Sequence, residues 1–136
     1  MHAIYLTVAL ALGAEPGAPT FGEDVDFLSQ HTDAFVLQRG DRQVVVAPAY
    51  QGRVMTSTWG GRDGFSNGWI NRALIASGAT QPHINVYGGE DRFWLGPEGG
   101  QFAIFFKPGA QYTLDDWQTP APIDSEAYEV AGKTES

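Results

Sequence analysis

Four tryptophans, Trp59, Trp69, Trp94 and Trp117, are interleaved with Asn67, Asn71, Arg72, Asn85, Glu90 and Arg92. An indole face packs the apolar C–H side of a pyranose, while planar amide, guanidinium and carboxylate groups take its hydroxyls in pairs, so these residue types suit carbohydrate. The same tryptophans would also serve as the core of a β-sandwich, and that alternative stays open at this level. Three carboxylates, Glu90, Asp91 and Glu98, bracket Phe93-Trp94. A carboxyl held against aromatic rings has its pKa raised by desolvation, which suits proton transfer. Ordinary surface charges on a hairpin explain the same three residues.

Other chemistries find little support. The three histidines, at positions 2, 31 and 83, are too far apart to read as zinc ligands, and there is no cysteine to supply a thiolate, a nucleophile or a disulfide. Glu90 and Asp91 with backbone carbonyls are the nearest approach to a calcium site, and a solvated acidic turn accounts for them; no metal is expected. Ser57, Ser66 and Ser77 lie in no Gly-x-Ser-x-Gly elbow. The glycine-rich stretches lack the Gly-Lys-Ser/Thr of a phosphate loop, so they read as turns and no cofactor is implied. With 8 basic and 16 acidic residues, a net charge of -8, the chain is poorly suited to nucleic acid or to an anionic membrane surface.

The elements that must position these groups are mostly short strands. The 17 glycines and 8 prolines call for many turns, and an all-β antiparallel sandwich with one short N-terminal helix is the expected architecture. Thr20-Phe21-Gly22-Glu23 spells a capping box, which predicts a helix over Phe21 to Gln30. Alternation then places Phe35 and Leu37, Val44 and Val46, and Met55, Ser57 and Trp59 on shared faces of three strands, with Arg39-Gly40-Asp41-Arg42 turning the first into the second. Gln101 to Lys107 reads as a further strand after the run Gly88 to Gly100, and Tyr128-Glu129-Val130 as another. Ahead of the domain, taken as residues 20–136, Met1 to Ala14 has the outline of a secretory signal, with a buried first strand as the alternative. Its apolar stretch of about ten residues ends on small residues and is too short to span a membrane. The expected location is therefore secreted or periplasmic.

The strand Arg53 to Trp59 behind Gln51-Gly52, Asn71-Arg72 after an aromatic and glycine loop, and the Gly88-Gly89 pair together resemble the N-terminal part of galactose mutarotase-like proteins, the aldose 1-epimerases and their relatives. The run Gly88-Gly89-Glu90-Asp91-Arg92-Phe93-Trp94-Leu95-Gly96-Pro97-Glu98 looks closest to secreted bacterial members of that superfamily. The resemblance spans roughly residues 34–107 and implies a large β-sandwich with a concave sugar-binding face, on which an Asn-Arg pair contacts the sugar. Asn71 and Arg72 stand where that pair belongs. With His83, Glu90, Arg92 and Trp94 they form the expected substrate-binding set, with a sugar or glycan as ligand. Val86 and Tyr87 occupy the place of the family's histidine before the Gly-Gly pair, and the family's glutamate base belongs to a C-terminal half. The chain accordingly reads as an incomplete N-terminal piece, inactive alone as an isomerase, whose open sheet edges favour self-association. A non-catalytic carbohydrate-binding module, or a structural, oligomerising domain, is the alternative.

Overall fold

The computed structural model describes residues 17–132 and 134, so the signal-like segment Met1 to Ala14 lies outside the described residues. The chain opens into helix α1, Phe21–His31, followed by strands β1 (Phe35–Arg39), β2 (Arg42–Ala47) and β3 (Arg53–Thr58). A short helix α2, Arg72–Ser77, comes next, and single 3-10 turns occupy Pro48–Tyr50 and Ala121–Ile123.

Helix α1 starts as its capping box dictates. The Glu23 amide donates to the Thr20 hydroxyl, and the Glu23 carboxylate accepts from the Thr20 amide at 2.7 Å, so two otherwise orphaned donors are satisfied together. The helix buries Phe21 and Leu28 against the sheet, where they join Val45, Ala47, Met55, Ile70, Leu74, Ile75 and Tyr87 in the main core.

The three strands form one antiparallel sheet in the order β1-β2-β3. Arg39 opposes Arg42 at the hairpin end, and Gly40 takes the positive φ of 61° that the tight connection needs. Between β2 and β3 the ladder is regular to Val45↔Thr56 and then resumes at Val46↔Val54, which makes Met55 the extra residue of a β-bulge. This alters the face assignment expected from simple alternation, which put Met55, Ser57 and Trp59 together. Met55 is fully buried, whereas Ser57 opposes Val44 on the outer face beside Leu37, and Trp59 lies past the end of β3 and is 73% exposed. The bulge also sets Arg53 opposite Ala47, a core residue, and directly opposed residues share a face. An arginine is thereby turned to the buried side of the sheet.

Residues 101–107 form turns rather than the expected strand, and residues 128–130 are likewise not a strand. The 101–107 segment is held by ring stacking instead. Phe105 is fully buried between Trp94, at 5.2 Å between ring centroids, and Trp117, at 4.6 Å. Phe106 meets Trp117 edge-on. A β-rich domain with an antiparallel three-stranded sheet is what these elements establish; besides the expected N-terminal helix it contains α2.

Candidate functional site

The glycine pair 88–89 is sewn into the body from two sides. The Gly89 amide donates to the Trp69 carbonyl at 2.7 Å, while the Glu90 amide donates to the Val54 carbonyl at 2.8 Å and the Val54 amide to the Asp91 carbonyl at 2.9 Å. Both glycines have positive φ, 89° and 102°. A Cβ on Gly89 would stand 2.8 Å from Arg53 Cδ and 2.9 Å from the Val54 carbonyl oxygen, and one on Gly88 would strike the Trp69 carbonyl. Only glycine fits here, because the backbone must pass directly over the arginine stem and the neighbouring strand.

This crossing makes the floor of a cleft of about 420 Å³ whose walls are Arg53, Trp69, Val86, Glu90, Asp91 and Arg92. Its size suits one or two small rings. Trp69 is 62% exposed, so its indole is available to a ligand. Arg92 is half-buried and lies 3.8 Å over the Trp94 ring, whose Nε1 donates to Glu98 at 2.8 Å. The guanidinium of Arg53 is held beneath the glycines, with Nη1 donating to the Gly88 carbonyl at 2.7 Å and the charge 5.8 Å above the Tyr87 ring. Burial, followed by repulsion from Arg92, lowers its pKa to about 10, so it stays charged at neutral pH. Burial lowers Arg92 as well.

Glu90, on the cleft wall, is tied to the sheet. Its carboxylate accepts from the Ser57 hydroxyl at 3.0 Å, and the Asn67 amide donates to the same hydroxyl at 3.1 Å. Ser57 also lines a second groove, about 610 Å³, formed on the outer sheet face by Leu37, Val44, Trp59, Arg39 and Arg42. The two depressions therefore adjoin through the Ser57–Glu90 hydrogen bond, with one exposed tryptophan in each.

Of the six residues singled out from sequence, Glu90, Arg92 and Trp94 come together at or behind the cleft. The other three do not line it. Asn71 is the N-cap of α2, its Oδ1 accepting from the Leu74 amide and its Nδ2 donating to the Val86 carbonyl at 2.9 Å. Arg72 pairs with the buried carboxylate of Asp24 and lies 4.6 Å over the Phe27 ring. His83 has φ 72° and its Nδ1 is 2.7 Å from the Trp117 carbonyl, which places it at the far end of the aromatic stack. Sequence reasoning missed Arg53 and gave Trp69 no special place. The signal for Arg53 was its position two residues before Met55, on the face that alternation gives to that core residue.

Among the described residues, no group of three His, Asp or Glu side chains gathers as metal ligands, and no helix is long and apolar enough to cross a membrane. A β-rich domain with a cleft lined by a tryptophan, two guanidiniums and two carboxylates is the class of protein these features define. Residues 19–136 match DUF6786, a family of unknown function, and the chain belongs to that family. No curated protein and no solved structure matches the chain.

Proposed function

We propose that this is an exported carbohydrate-directed protein of the mutarotase-like type, in which the cleft beside Gly88-Gly89 holds a sugar. One observation carries the reading: the exposed indole of Trp69 shares a single cleft with Arg53, Glu90, Asp91 and Arg92. A stacking surface next to planar hydrogen-bonding groups is the equipment that a pyranose requires, an apolar face to rest on and fixed polar groups to meet its hydroxyls. The neighbouring groove at Trp59 offers a second position of the same kind, which suits a glycan longer than one residue. On the outer sheet face Val44, Val46 and Val54 are only half-buried, which supports reading the sheet as one layer of a sandwich.

Recognition, rather than isomerisation, is the role we assign to this cleft. Its lining holds two carboxylates and two guanidiniums but no histidine, His83 being engaged with Trp117. The test is calorimetric titration of the chain with a panel of monosaccharides and short glycans, with polarimetry of galactose and glucose alongside. Binding that is lost in Trp69→Ala, without acceleration of mutarotation, is the expected result. Binding unaffected by Trp69→Ala would move the site elsewhere, and clear acceleration would place an acid and a base within this chain.

A further inference from the structure

Arg53 is 3% exposed, and its guanidinium is only partly satisfied. Nη1 is bound to the Gly88 carbonyl, whereas Nε and Nη2 have no hydrogen-bond partner among the described residues. Those two atoms lie on one edge of the planar group, where their N–H bonds run parallel and match the two oxygens of a single carboxylate. Leaving such donors desolvated and unpaired is costly, more so for a charged group than for a neutral one.

The acidic groups nearby do not fill this role. Asp124, which attracts Arg53, is buried and takes hydrogen bonds from the Asn85 amide and from its side-chain Nδ2. Glu90 is turned to Ser57. Asp91 lies exposed, and among the described residues neither Arg53 nor Arg92 forms an ion pair. Two like charges thus share one cleft, one of them with a carboxylate-shaped edge unpaired, next to a free indole.

Building on the carbohydrate reading above, we infer that the cleft selects an acidic sugar: a uronic acid whose carboxylate takes the Nε–Nη2 edge of Arg53, with Arg92 as second cation and Trp69 beneath the ring. The edge is buried, so seating a carboxylate on it requires the cleft wall to move. Arg92 packs on the face of Trp94 and forms no ion pair among the described residues.

The experiment is calorimetric titration of the 136-residue chain at low ionic strength with galacturonate, glucuronate and mannuronate, each beside its neutral parent sugar, and with galactose 6-sulfate. At least one uronate is expected to bind on the order of tenfold more tightly than its parent, the usual worth of a charge-assisted bidentate contact. Arg53→Lys keeps the charge but not the fork and is expected to abolish that preference while the parent sugar still binds. Arg92→Gln, at a half-buried position, reduces the preference too and gives a reading should Arg53→Lys fail to fold. Equal affinity for every uronate and its parent overturns the inference and leaves the carbohydrate reading standing. A sulfate bound as tightly as the carboxylate overturns the carboxylate assignment, and no binding by any of these sugars overturns both.

Discussion

Arg72 reaches back across 48 residues to the carboxylate of Asp24, so the first residue of α2 is ionically tied to the first turn of α1. The Asp24 side chain is 1% exposed and that of Arg72 40%, and the remaining Asp24 oxygen accepts from the buried Ser66 hydroxyl, which also meets Thr56 at 2.6 Å. One carboxylate thereby joins two helices, a loop and β3. Asp24→Ala leaves a guanidinium and the Ser66 hydroxyl without it, and the expected loss is about 2 to 3 kcal/mol, toward the low end for a broken buried pair because Arg72 is partly solvated. Urea unfolding of the two proteins checks this.

The ring sandwich behind the cleft is the second place where stability is concentrated. Phe105→Ala removes a fully buried ring from between two indoles and is expected to destabilise by about 3 to 5 kcal/mol. Thermal unfolding gives the value. A cost below about 1 kcal/mol, the scale of an ordinary surface change, would mean that residues 101–119 are not docked as described.

Gly89→Ala introduces a methyl 2.8 Å from Arg53 Cδ at a φ of +102°, a conformation that non-glycine residues rarely adopt. The expected cost is about 1 to 3 kcal/mol, with loss of ligand binding because the cleft floor must move. Gly99→Ala, where a Cβ would meet nothing within 4 Å, is the matched control and should be neutral.

The α1 capping box makes stability depend on pH. The Thr20 amide, then the Thr20 hydroxyl, hold the Glu23 carboxyl below its ordinary value of 4.5 in the folded chain. The unfolded chain therefore binds the proton more readily, and this contribution is present above about 4.5 and fades as the pH falls through the lowered folded value. Thr20→Ala removes the hydroxyl but keeps the amide, so it should reduce that part of the pH–stability curve without abolishing it, and the lost cap should cost about 1 kcal/mol at neutral pH. Chemical unfolding at a series of pH values from neutral to acidic reads both effects.

Much of the first half of the fold could be read directly. Thr20 and Glu23 announced α1, and Gly40-Asp41 between two runs of valine and leucine announced the hairpin, because local hydrogen bonding and turn chemistry decide both. The bulge at Met55 could not be read, since strict alternation and its interruption look alike until the partner strand is known. With it went the outward turn of Ser57, whereas Arg53, two residues before Met55, shares its buried side by simple alternation. Helix α2 was hidden by its length, although Asn71 before it and Gly78 after it, with φ 61°, are ordinary boundary residues. At the site, Glu90, Arg92 and Trp94 were found through their shared motif. Asn71 and Arg72 were drawn in by residue type and by resemblance, and their side chains are occupied in capping α2 and in pairing with Asp24.

The stacking of Trp94, Phe105 and Trp117 gives the protein an optical signature. Two indoles fixed in a chiral array across one benzene ring, with interplanar angles of 23° and 20°, should produce a sharp near-ultraviolet circular dichroism band, to which the solvent-exposed indoles of Trp59 and Trp69 add little. Emission from those two indoles, in turn, should respond to whatever rests on them. Ellipticity and emission thus report on separate events in the same unlabelled molecule, the seating of the C-terminal loops and the occupancy of the grooves.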